Sequence, residues 1–140
     1  INVKNYSKHI QLILKNKNFF LIKKITDLIS HLDILYICVP LNDKTKNLIN
    51  NKNLKFAKKN LVIVNVSRGG VINENDLFKS LKENKILGAG LDVFKHEKKK
   101  NKLFSLKNTV STCHIGGMTD EAQARIADII NKNIDKYFKK

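Results

Sequence analysis

The chain has 140 residues, 42% of them hydrophobic, and a formal charge of +15 carried by lysine with only two arginines. That length and apolar share describe a single globular unit with an ordinary core and exclude a disordered chain. The lysines are scattered rather than gathered into a stripe, so they read as solvated faces and make nucleic acid an unlikely partner by composition.

In chain order, Ile1 to Tyr6 alternates weakly and predicts a short strand, Ile10 to Leu14 is ambiguous, and Phe19 to Ile22 predicts another short strand. A helix is expected from about Thr26 to His31. Asp33 to Pro40, D-I-L-Y-I-C-V-P, predicts a buried strand that stops at the only proline in the chain. After a loop over Leu41 to Thr45, Asn50 to Lys59 predicts a helix with Leu54 and Ala57 facing inward. Leu61 to Val66 is rich in β-branched residues and reads as a strand buried on both faces. Ser67-Arg68-Gly69-Gly70 then turns the chain, with two glycines for backbone freedom.

Asn73 caps the next helix, Asp76 favours its N-terminus, and Leu77, Phe78 and Leu81 form its apolar stripe. Asn84 ends that helix, and Ile86 to Val93 predicts a second buried strand. Lys95 to Lys102 reads as a charged loop, Thr109 to Thr112 as a short strand, and His114 to Met118 as a glycine-containing turn. Thr119 caps a long last helix whose first turn carries Asp120 and Glu121. Ala122, Ile126, Ile130, Ile134 and Phe138 step by four along it, so that face is expected to lie on something apolar.

A strand, a helix and a strand within about 30 residues make a βαβ unit, with a right-handed crossover and a parallel strand pair. The alternation along the whole chain predicts an α/β fold, a doubly wound parallel sheet. Such sheets bind ligands beyond the carboxyl ends of their strands. Pro40, Arg68, Asp92 and His114 each end or follow a predicted strand, so all four fall on that edge.

Cys38, inside an apolar strand, reads as a small core residue, and neither it nor Cys113 has C-x-x-C spacing. The absence of a disulfide framework points to a reducing, cytoplasmic setting. The longest apolar run, Ile34 to Val39, is far below the roughly 20 residues that span a bilayer. No signal-peptide pattern is present, and a start at Ile1 rather than methionine suggests residues upstream. No metal-ligand spacing stands out, and His9, His31 and His96 have no partner pattern.

Arg68 offers a planar fork that can grip a carboxylate with two parallel hydrogen bonds or polarise the carbonyl beside it. His114 can serve as acid or base near neutral pH if a partner fixes its tautomer, and Glu97 is the candidate partner. Asp92, at the end of a buried strand, needs a donor or a cofactor group. Taken singly, Arg68 could merely cap carbonyls and Glu97 could be a solvated charge among Lys95, Lys98, Lys99 and Lys100. Together on one sheet edge, an arginine, a histidine and an acid suit hydride exchange with a 2-hydroxy acid. Gly88-Ala89-Gly90 lies inside a strand and is not a dinucleotide fingerprint.

Three motifs, Ser67-Arg68-Gly69-Gly70, Gly88-Ala89-Gly90-Leu91-Asp92-Val93-Phe94 and His114-Ile115-Gly116-Gly117, resemble signatures of the D-isomer-specific 2-hydroxyacid dehydrogenases. Thr119-Asp120-Glu121-Ala122-Gln123 after the histidine turn resembles the phosphoglycerate dehydrogenase branch, and Val39-Pro40-Leu41 with Thr45 and Leu48-Ile49 also matches. The likeness runs from about Leu28 to Phe138. It implies that Arg68 binds the substrate carboxylate and carbonyl, that His114 is the acid/base, and that Glu97 is its partner. It further implies a cofactor site at Ser7, Val39, Pro40, Val66, Ser67, Arg68, Asp92, His114, Gly116 and Gly117, with Asp92 facing the nicotinamide. NAD is the cofactor implied, with NADP open because Tyr6-Ser7-Lys8 has no acid for the ribose and Lys8 could meet a 2′-phosphate.

The resemblance divides the chain into a partial dinucleotide-binding domain, 1–117, and a C-terminal helix, 118–140, that links to a substrate domain. It implies hydride transfer with a D-2-hydroxy acid, 3-phosphoglycerate in the closest branch, in a cytoplasmic homodimer serving serine biosynthesis. A glyoxylate or hydroxypyruvate reductase is the alternative, and a dinucleotide-sensing corepressor-like module is another. Two departures stand out: the family's E-P-E-P is here Lys95-His96-Glu97-Lys98, without prolines, and Cys113 stands where proline usually precedes the histidine.

Overall fold

The structure is a computed structural model, and it describes residues 24–97 and 99–138. The expected strands over Ile1 to Tyr6 and Phe19 to Ile22, like Ser7 and Lys8, lie outside the described residues. The first described element is helix α1, Ile25–Ile29, followed by strand β1, Ile34–Ile37. Helix α2, Asn51–Leu54, leads to β2, Val62–Asn65, and helix α3, Glu74–Lys82, to β3, Gly88–Leu91. A 3-10 turn over Lys102–Ser105 precedes β4, Thr109–Ser111, and the long helix α4 covers Asp120–Phe138.

The four strands are all parallel and lie side by side in chain order, β1-β2-β3-β4. Sequential order with crossover connections is that of one half of a doubly wound sheet. Because the strands run the same way, all four carboxyl ends reach one edge. Leu35, Ile37, Ile63, Ala89 and Leu91 point to one face and share a core with Ile29, Leu54, Leu77, Leu81 and Leu103.

The other face corrects the expectation of strands buried on both sides. Ile34 and Tyr36 are 61% and 62% exposed, and Val62 and Val64 are only half-buried. Among the described residues, the apolar side chains of the connecting segments cover only the Leu35–Ile63–Leu91 face. Cys38 is likewise not a core residue: it follows the last β1 residue and is exposed.

The helix starts follow the expected chemistry more closely than the ends do. Asn73 accepts from the Asp76 amide at 3.2 Å and starts α3, and Asn84 adopts a left-handed backbone just beyond it. The α2 helix is much shorter than the Asn50 to Lys59 expected. Asn50 and Asn53 cap its first turn reciprocally, and the helix stops after Leu54 although the Lys55, Ala57, Lys58 and Lys59 that follow are good helix formers. On α4 the apolar face remains open: Ile126, Ile130, Ile134 and Phe138 are all exposed. The expected apolar seat for that face is not among the described residues. No described helix is long and apolar enough to cross a membrane.

Candidate active site

Each candidate group is placed by a local device at the carboxyl edge. At the end of β2, the fully buried Asn65 stands where an all-apolar strand would be expected. Its Oδ1 accepts from the Ser67 amide at 3.1 Å and the Ser67 hydroxyl at 2.8 Å, and its Nδ2 donates to the Arg68 carbonyl at 3.1 Å. One side chain thereby folds the Ser-Arg turn, and its polar groups are satisfied inside the core. The Arg68 guanidinium donates from Nη1 to the Ser67 carbonyl at 2.6 Å. Among the described residues it forms no ion pair, so most of its fork remains available to a ligand.

Arg68 and Ser67 line an open cleft of about 690 Å³ together with Cys38, Val39, Pro40, Leu41 and Val66. Its β1 wall is pinned by Thr45, whose hydroxyl donates to the Pro40 carbonyl at 2.6 Å and accepts from the Asn42 amide at 2.8 Å. The volume lies within the roughly 300–1,000 Å³ usual for small-molecule sites.

At the end of β3, Asp92 is 6% exposed. Its Oδ1 accepts from the Thr112 hydroxyl at 2.5 Å and the Ile115 amide at 2.9 Å, and its Oδ2 accepts from the Gly116 amide at 2.9 Å. The Thr112 hydrogen bond, aided by the two amides and the nearby His114, holds its carboxyl below the usual carboxylate range against the cost of burial. Both oxygens are thus turned onto the histidine turn. A Cβ at Gly116 would stand 3.0 Å from Asp92 Oδ2, so a larger residue there would press on the braced carboxylate.

His114 sits in that turn with a left-handed backbone, φ 57°, and its amide donates to the Asp92 carbonyl at 2.8 Å. For a non-glycine residue this conformation needs support from its surroundings, and it recurs at functional sites. From the far side, Gln123 Nε2 donates to the Gly117 carbonyl at 3.0 Å, which ties the turn to α4. His114 Nδ1 then meets Glu97 Oε1 at 2.7 Å. An ionised carboxylate can only accept, so Nδ1 carries the proton and Nε2 is left for chemistry.

The edge therefore brings together Glu97, His114 and Asp92 by direct contact and sets Arg68 with Val39, Pro40, Val66 and Ser67 at the cleft. Gly116 and Gly117 complete the histidine turn, and Gly117 has no heavy atom within 4 Å of where a Cβ would stand. The residues alone do not single out Asn65 or Thr112. Asn65 had a visible signal, a polar residue inside L-V-I-V-N-V; Thr112 had none. Within the described residues, no group of three or more histidines, cysteines or acids is placed to hold a metal.

A parallel α/β sheet whose carboxyl edge carries an arginine fork and a carboxylate-fixed histidine has the architecture of a doubly wound ligand-binding domain. Residues 1–116 match the family described as D-isomer specific 2-hydroxyacid dehydrogenase, NAD binding domain, and the chain belongs to that family. It is 43% identical over 113 residues to a glyoxylate reductase of Thermococcus litoralis, covering 80% of this chain and 34% of the relative. It is 40% identical over 120 residues to a D-3-phosphoglycerate dehydrogenase of Methanocaldococcus jannaschii, covering 85% and 23%. Among solved structures, an NADPH-dependent glyoxylate/hydroxypyruvate reductase of Sinorhizobium meliloti, in complex with NADP and malonate, superposes with a TM-score of 0.76 at 27% identity. That match covers 82% of this chain and 36% of the other. The chain thus spans about a third or less of the curated relatives it matches.

Proposed function

We propose that this chain is part of an enzyme that exchanges a hydride between NAD and C2 of a D-2-hydroxy acid, with Arg68, Glu97 and His114 as its working residues. In that reading, residues 1–117 belong to the NAD-binding domain, 118–140 lead towards a substrate domain, and the complete enzyme extends beyond these residues as its relatives do. The observation that carries it is the 2.7 Å contact of Glu97 with His114 on the same sheet edge as the largely free fork of Arg68.

The cleft suits the cofactor's reactive half. Val39, Pro40 and Val66 offer apolar surface for a flat ring, and Gly116 and Gly117 leave backbone accessible beside His114. When bound there, the nicotinamide would supply hydride to the keto carbon or accept it from the hydroxy carbon. Arg68 holds the substrate carboxylate with paired hydrogen bonds and polarises the neighbouring C–O bond. In reduction, His114 gives its Nε2 proton to the oxygen that becomes the hydroxyl; in oxidation the same nitrogen takes it back. Glu97 keeps Nδ1 protonated and the ring aimed. Asp92 acts through the backbone of the turn it braces.

For the substrate, 3-phosphoglycerate is favoured by the Thr119-Asp120-Glu121-Ala122-Gln123 helix start, whose Gln123 closes the histidine turn. In that case the setting is a cytoplasmic homodimer in serine biosynthesis. The 43% identity to a glyoxylate reductase favours the second reading, reduction of glyoxylate or hydroxypyruvate. Steady-state rates of the complete enzyme with phosphohydroxypyruvate, hydroxypyruvate and glyoxylate distinguish the two. A cofactor-dependent shift on DNA without turnover of any 2-keto acid would replace both readings with a binding module.

A further inference from the structure

We propose that Glu74 is a positioning residue for this reaction: its carboxylate clamps the loop that carries Glu97 and so keeps Glu97 on His114. The inference rests on the roles proposed above for Glu97 and His114. Glu97 and His114 side chains are 47% and 41% exposed. An ion pair that open contributes too little to order a loop. The sequence does not stiffen the loop with proline, and a local turn, in which the Lys99 amide donates to the His96 carbonyl at 3.1 Å, does not tie it to the rest of the domain.

Glu74 supplies the missing constraint from another element. It stands in the first turn of α3, where its Oε1 accepts from the Lys95 amide at 2.6 Å and its Oε2 accepts from Asn101 Nδ2 at 2.7 Å. One carboxylate thus grips the loop before and after Glu97. Both anchors are themselves fixed. Asn101 Oδ1 accepts from the Leu103 amide at 3.0 Å, and Leu103 is fully buried. The Phe94–Lys95 backbone lies directly on Gly69, where a Cβ would fall 2.1 Å from the Phe94 carbonyl. The neighbouring lysines, Lys95, Lys99 and Lys100, are exposed and offer Glu97 competing charges once the loop is released.

The direct test is the imidazole nitrogen spectrum of His114 in the complete enzyme, recorded at alkaline pH. Wild type is expected to show the Nδ1–H tautomer. Glu97→Ala should release it to the Nε2–H form that free imidazole side chains prefer, and Glu74→Ala should produce the same change with residue 97 untouched. In the complete enzyme, Glu74→Ala should lower kcat about tenfold with KM little altered, a loss confined to the transition state. Placed in the Glu97→Ala background, it should cost nothing further. If Glu74→Ala does not fold, Glu74→Gln keeps the acceptor for Lys95, loses the one for Asn101, and should show both tautomers. An unchanged Nδ1–H signal in the folded Glu74 variant, or a full additional loss in the double variant, overturns the proposal. Absence of turnover would defeat the proposed function but leave the tautomer result standing.

Discussion

His114 and Arg68 stand at the carboxyl ends of β4 and β2, and the chain holds them in opposite ways. The His114 ring is committed: its turn hangs from Asp92 on one side and Gln123 on the other, and Glu97 holds Nδ1. At Arg68 only the backbone is committed, through Asn65, and the guanidinium spends one nitrogen on the Ser67 carbonyl. In the proposed reaction, proton transfer depends on a fixed tautomer and angle, which the His114 side supplies in advance. Carboxylate capture in the same proposal needs a fork that is aimed and still largely free, as the Arg68 side is.

The comparison is broken most severely at His114. In the complete enzyme, His114→Ala should cost about 10²–10⁴-fold in kcat, the usual share of general acid–base catalysis, with KM nearly unchanged. A comparable rise in KM would mean that the ring binds substrate more than it moves protons.

Arg68→Lys should cost roughly tenfold or more in kcat/KM, because paired charge-assisted hydrogen bonds of about 1.5–3 kcal/mol each are replaced by a point charge. Since the fork has little to do with the fold, urea unfolding of the same variant should stay within about 0.5 kcal/mol of wild type. A larger loss of stability would place Arg68 among the structural residues.

Asp92→Asn separates the two halves by pH. At neutral pH it should destabilise the chain by about 1.5–3 kcal/mol, the range for hydrogen bonds to a charged group. The Asp92 carboxyl is held below its usual range, so its contribution is present above the ordinary carboxylate pKa of about 3.9 and is lost as pH falls through the lower folded value. The gap in stability between wild type and Asp92→Asn should therefore narrow at acidic pH. A gap that stays constant to low pH would show that the charge is not what Thr112 and the two amides hold.

The smallest effect is expected away from the edge. Asn73→Ala removes the α3 cap and should cost about 1 kcal/mol in thermal or urea unfolding, without altering kcat/KM beyond the folded fraction.

Much of this arrangement was legible in the residues. The runs Asp33 to Pro40, Leu61 to Val66 and Ile86 to Val93 and the cap at Asn73 marked the alternation, and parallel order then forced Pro40, Arg68, Asp92 and His114 onto one edge. What the sequence did not reveal depends on distance in the chain. That Thr112 answers Asp92, or that Glu74 reaches across to Lys95 and Asn101, follows from crossovers that bring remote backbone together. Burial misled for a similar reason. Cys38 and Tyr36 have core-like neighbours in sequence but lie where no described segment covers the strand.

The central claim is that Arg68, Glu97 and His114 form the reacting edge of an enzyme for D-2-hydroxy acids. Its most direct test is steady-state turnover of the complete enzyme with NAD and matched D- and L-2-hydroxy acids, wild type beside His114→Ala. The account predicts turnover of the D-isomer only, reduced at least about a hundredfold in the variant. Turnover of the L-isomer, or a His114→Ala enzyme as fast as wild type, would contradict it.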